Sequence, residues 1–160
     1  MEMTKDDKTY IEKNTTRSET LENGGMKYYV PMLGFWLVRD HAGWSVDGTT
    51  GHGDTIEELY AKLRTECQDD IQHMLRLNDG VKISDIDTSN PVKAVCKTKW
   101  HGKDFTLTYR LPSQNWEVEG NVLTDFCGHN DVKNTIKFLY EKEKSNIVEI
   151  FPMAGLIVNK

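Results

Sequence analysis

Trp44-Ser45-Val46-Asp47-Gly48-Thr49-Thr50-Gly51-His52-Gly53-Asp54 decides how this chain is read, because it joins a strand signal to a helix start. Trp44 and Val46 are two apart, so they share one strand face, and Gly48 ends the run. Asp54 or Thr55 is placed to cap a helix, with Glu57 and Glu58 in its first turn. Ile56, Leu59, Tyr60, Leu63, Cys67, Ile71, Met74 and Leu75 then recur at steps of three and four, and Asn78-Asp79-Gly80 supplies a stop. The spacing predicts one long amphipathic helix from about residue 55 to residue 77.

The same order returns later in the chain. Trp116-Glu117-Val118-Glu119-Gly120 is followed by Gly128-His129-Asn130-Asp131 and by a second helical pattern carrying Val132, Ile136, Leu139 and Tyr140. Strand, Trp-x-Val-x-Gly, a Gly-His-x-Asp turn and helix thus occur twice, although the gap between the motifs differs between the copies. A duplication would produce this pattern, and so would two independent strand–turn–helix junctions.

Working outward, Tyr28-Tyr29-Val30 and Phe35-Trp36-Leu37-Val38 are β-rich runs broken by Pro31 and Gly34, and Asp40-His41-Ala42-Gly43 is a turn signal before Trp44. In the second half, Val92, Ala94, Cys96, Thr98 and Trp100 alternate with Lys93, Val95, Lys97 and Lys99, so one strand face is mainly apolar and the other mainly basic. Two further strands, from Phe105 to Leu111 and from Trp116 to Gly120, complete a meander, and Asn146 to Phe151 with Leu156 to Val158 close the chain as strands. The expected fold is α+β: an antiparallel sheet built from two tandem β-β-β-α-like units, with two helices packed on it. Residues 1–25 are polar apart from Tyr10, Ile11 and Leu21 and are expected to be a disordered or loosely docked arm. Met26 stands where the folded pattern begins, as an alternative start would. Residues 26–80 form the first unit, 81–91 a connector with a short strand at most, and 92–160 the second unit.

The first unit, through Gly43-Trp44 and Gly53-Asp54-Thr55-Ile56-Glu57-Glu58-Leu59, resembles the strand-and-helix junction of HicB-type antitoxin domains over about residues 27 to 75. That resemblance implies a binding and inhibiting role and carries over no catalytic residue. Such antitoxins append a small helical or ribbon DNA-binding module, whereas here a second β-rich unit follows.

Composition narrows the function further. Twenty-five acidic against twenty basic residues give a net charge of −5, which disfavours a general nucleic-acid binder, since phosphate neutralisation needs surplus Lys and Arg. Cys67, Cys96 and Cys127 form no close pair and read as buried thiols in a reducing compartment, so a cytoplasmic location is expected and no metal site or cofactor is. No apolar run approaches the length that crosses a bilayer.

With no phosphate loop, nucleophile elbow or zincin helix present, the reading is a small non-catalytic protein that docks on another protein. It would act as an inhibitor, an antitoxin-like or immunity-like factor, or an accessory factor of a mobile element. Trp36, Trp44, Trp116, Tyr28 and Tyr29 are the candidate binding residues, because Trp and Tyr concentrate at protein interfaces. One alternative is a hydrolase or phosphodiesterase in which His52 and His129 act as acid and base, although neither sits in the His-x-Thr or His-x-Ser motif of two-histidine phosphodiesterases. The other is single-strand nucleic-acid binding through Lys93, Lys97, Lys99, Trp100 and Lys103, with lysines on phosphate and an aromatic on a base.

Overall fold

A computed structural model describes residues 3–120 and 128–143. In chain order these form α1 (Lys5–Asn14), β1 (Arg17–Thr20), β2 (Met26–Val30), β3 (Phe35–Asp40), β4 (Gly43–Val46), α2 (Ile56–Leu77), β5 (Ile83–Asn90), β6 (Lys93–Trp100), β7 (Lys103–Arg110), β8 (Asn115–Val118), a 3-10 turn (His129–Asp131) and a helix α3 over residues 132–143. The strands make two four-stranded antiparallel sheets, β1-β2-β3-β4 and β5-β6-β7-β8. The α+β class and tandem organisation are as expected, but there are two sheets where one was expected, and each has a fourth strand.

The fourth strands come from the segments read as an N-terminal arm and as a connector with a short strand at most. Where residues 1–25 were expected to be a disordered or loosely docked arm, two elements are found: α1 begins at a cap in which the Thr4 hydroxyl accepts from the Asp7 amide at 3.1 Å, and β1 pairs with β2. Polar composition hid both elements, since β1, Arg-Ser-Glu-Thr, is exposed at every position. Likewise the connector at 81–91 contains an eight-residue strand, β5. It pairs at a sheet edge and needs little apolar content of its own. The strands expected beyond residue 145, and Cys127, lie outside the described residues.

The chain divides into two compact units, one of residues 1–69, 88–94 and 110–114, the other of residues 70–87, 95–109 and 115–160. The first cut falls within α2, between Asp69 and Asp70. In the first unit the β2–β3–β4 register sets Val30 against Phe35, Tyr28 against Leu37, and Leu37 against Val46. The inward row is therefore Tyr28, Val30, Phe35, Leu37, Trp44 and Val46. Ile56, Leu59, Tyr60 and Leu63 of α2 are buried with it, and the rings of Phe35 and Tyr60 meet edge to face at 6.0 Å. In the second unit Phe105, Leu107, Tyr109, Trp116 and Val118 are buried together with Ile71, Met74, Val132 and Ile136.

Two turns show why their residues are required. Gly43 has φ +110°, and a Cβ there would lie 2.6 Å from the Gly53 carbonyl oxygen, because Trp44 and Gly53 exchange backbone hydrogen bonds of 2.8 and 2.9 Å. His101 and Gly102 both have positive φ, 49° and 81°, the conformation a tight two-residue hairpin uses to match strand twist.

Candidate functional site

The repeated Trp-x-Val-x-Gly motif turns out to be core. Trp44 and Trp116 are 1% and 0% exposed, and Val46 and Val118 are fully buried beside them. A buried indole N–H needs an acceptor, and the two copies meet that need differently. Trp44 Nε1 donates to Asp7 Oδ2 at 3.1 Å, while Asp7 Oδ1 accepts from the Ile56 amide at 3.0 Å, so one carboxylate from α1 holds both the β4 indole and the α2 N-terminus. Trp116 Nε1 donates to His129 Nδ1 at 2.9 Å. Buried Asn78 accepts from the Lys133 amide at 2.9 Å and donates to the His129 carbonyl, so it ties the end of α2 to the start of α3. Trp44 and Trp116 therefore present no surface to a partner.

The candidate catalytic histidines fall in different units. His52 is exposed, and its carbonyl accepts from Lys62 Nζ at 2.9 Å. His129 belongs to the other unit, with Nδ1 occupied by Trp116 and its ring 5.3 Å from that of His73 and 5.5 Å from that of Tyr109. Burial holds His129 below the ordinary histidine value, with the His73 charge adding to this and the Asp70 carboxylate opposing it. Its imidazole is a structural acceptor that carries its proton on Nε2. Asp70 in turn accepts from the Tyr109 hydroxyl at 2.5 Å.

The basic strand is divided in the same way. Lys93 belongs to the first unit, and Lys97, Lys99 and Lys103 to the second. Alternation puts Trp100 on the opposite face from Lys97 and Lys99, together with buried Ala94, Cys96 and Thr98. Trp100 meets the His101 ring at 5.2 Å, and His101 meets Tyr140 at 5.2 Å. Lys99 pairs with Asp104 at 2.9 Å, which holds that exposed carboxyl below its usual range, and Lys103 pairs with Glu143. The lysines and the aromatic thus do not form one stacking platform.

Among the described residues no group of His, Cys, Asp and Glu is set to hold a metal ion, and no helix is long and apolar enough to cross a membrane. Cys67 and Cys96 are buried, and burial pushes the Cys96 thiol up to about 11. A recess of about 360 Å³ in the first unit is lined by Asp6, Asp7, Tyr10, Glu57, Tyr60 and Arg64 among others. Its polar groups are largely turned on the protein itself: the Tyr10 and Tyr60 hydroxyls bond each other at 2.7 Å, and Arg64 donates to the Thr88 and Ser89 carbonyls.

The outer face of the first sheet is different. Register sets Arg17 against Tyr29 and Tyr29 against Trp36 across three strands, and Lys27 lies on the same face, opposite Glu19 and Val38. The rings of Tyr29 and Trp36 are 5.2 Å apart. Arg17 Cζ lies 4.8 Å from the first ring centroid and 5.2 Å from the second, and Lys27 Nζ lies 4.6 Å from that of Trp36. These are cation–π distances. Tyr29 and Trp36 are half-buried, and Arg17 is exposed. Tyr28 points the other way, with its ring 6.0 Å from Trp44.

Of the five aromatic candidates, then, Trp36 and Tyr29 form an outward pair, while Trp44, Trp116 and Tyr28 belong to the inner face. Sequence reasoning missed Arg17 and Lys27. The alternation of Arg17-Ser18-Glu19-Thr20 was the available signal, obscured because a strand without apolar residues looks like a solvated tail. Comparison with protein-family models, with curated proteins and with solved structures gives no match to this chain.

Proposed function

We propose that this is a small non-catalytic binding protein that docks on another protein through the outer face of its first sheet, centred on Tyr29 and Trp36. The observation that carries this reading is the cross-strand row Arg17–Tyr29–Trp36 with Lys27 beside it. Interface hot spots are rich in Trp, Tyr and Arg, and a ring held by a neighbouring cation is already in position when a partner arrives, which lowers the ordering cost of binding. The biological role that fits is that of an inhibitor, an antitoxin-like or immunity-like factor, or a mobile-element accessory factor, working in a reducing cytoplasm.

Photo-cross-linking tests this. A benzophenone amino acid at Val38, on the same face, is expected to trap one protein species from native lysate, and Trp36→Ala in the same chain is expected to abolish the adduct. The same label at exposed Gln68 of α2 is the control. Equal trapping at both positions, or an adduct indifferent to Trp36, contradicts the reading.

A further inference from the structure

We infer that the outer face of the first sheet takes an acidic, extended segment of its partner protein, laid along β1 with a carboxylate on Arg17; this rests on the docking reading above. Arg17 is held over two rings at 4.8 and 5.2 Å, yet among the described residues it has no carboxylate partner. Its planar fork of donors matches a carboxylate in two-point geometry, and its place over the two rings sets that fork on the outer face before any ligand is bound. Lys27 is the second cation, and the one acid beside it, Glu19, approaches only to 3.9 Å with both groups partly exposed, a distance at which a surface pair contributes little. On its β1 and β2 strands the face therefore carries two cations against one carboxylate, while Asp40 and Asp47 lie on its β3–β4 side; the chain as a whole has a net charge of −5. That local inversion is the charge complement of an acidic partner and rejects a basic one.

The extended form of the occupant follows from where Arg17 sits. β1 is the terminal strand of its sheet and is exposed along its whole length. An edge strand offers main-chain donors and acceptors that only another extended backbone can match in register. At the opposite side of the same sheet, β4 is closed by the Trp44–Gly53 bridge. A segment added beside β1 would place its outward side chains next to Arg17, in line with Tyr29 and Trp36.

The test is selection of a random peptide library displayed on phage against the immobilised full-length protein. The expected result is a family of acidic peptides whose affinity falls at least tenfold with Arg17→Gln or Lys27→Gln and with N-methylation of alternate peptide backbone amides. Circular dichroism of each variant is expected to match the parent. Four outcomes overturn the inference: no enrichment, a neutral or basic consensus, indifference to both cation variants, or equal competition by an oligothymidine, which would assign the cations to phosphate. Concentration-dependent self-association that disappears with Arg17→Gln would also overturn it, by making a second copy the occupant. A neutral consensus still lost with Trp36→Ala would sink the acidic partner and leave the docking face standing.

Discussion

Removing a carboxylate from water is costly unless donors replace its hydration, and Asp7, 3% exposed, finds them in the Trp44 indole and the Ile56 amide. Asp7→Ala is expected to leave both donors buried without a partner and to lower stability by roughly 2–3 kcal/mol in urea unfolding, the combined scale of a lost cap and an orphaned donor. A change under about 0.5 kcal/mol, the level of an ordinary surface substitution, would show that water takes over both roles. In the second unit His129 does the equivalent work as a neutral ring, held below its ordinary value near 6.5 by burial. As pH falls below about 6.5, the unfolded chain takes up this proton before the folded one. The stability His129 contributes is therefore complete at neutral pH and is lost as pH falls. His129→Gln, which retains an acceptor for the indole, is expected to flatten the stability profile between neutral pH and pH 5, and a profile as steep as that of the parent would contradict this. Neither lock was legible in the sequence: Asp7 and Trp44 are 37 positions apart, and no local pattern announces such a pair.

At the scale of elements, α2 was the most legible piece. Its buried positions Ile56, Leu59, Tyr60, Leu63, Cys67, Ile71 and Met74 are those of the apolar stripe, because helical periodicity is a local property that burial reinforces. Leu63→Ala is expected to cost about 2–5 kcal/mol, while exposed Glu58→Ala should stay within about 0.5 kcal/mol; equal losses in chemical unfolding would mean the helix face is misassigned. The alternation in β6 was legible for the same reason. What failed to read were α1, β1 and the full length of β5, which are held by strand pairing, by buried Asp7 and by the contact of Tyr10 with Tyr60 more than by a run of apolar residues. A chain beginning at Thr16 is accordingly expected to melt about 5–10 °C lower, the shift that a loss of roughly 2–3 kcal/mol gives in a chain of this size. An unchanged melting temperature would restore the picture of a loose arm.

Over the whole molecule, the four tryptophans separate into two kinds of work. Trp44 and Trp116 close the sheet–helix junctions of the two units, and the motif that made them conspicuous in the sequence is structural. Trp36 and Trp100 lie at half-buried positions, and Trp36 alone sits in the cation-flanked row of the first sheet. The candidate site was thus half-visible from the start: Tyr29 and Trp36 could be named from composition, but their separation from Tyr28 and Trp44 depends on strand register, and Arg17 and Lys27 joined them only through pairing across β1, β2 and β3. The measurement that tests this division most directly compares Trp36→Ala with Trp44→Ala for both equilibrium unfolding and affinity for the protein trapped at Val38. Trp44→Ala is expected to lose about 3–5 kcal/mol of stability. Trp36→Ala is expected to keep stability within about 1 kcal/mol of the parent while weakening partner binding by 2 kcal/mol or more, on the order of thirtyfold. A Trp36→Ala protein that unfolds as readily as Trp44→Ala, or that binds its partner as tightly as the parent, would contradict the account.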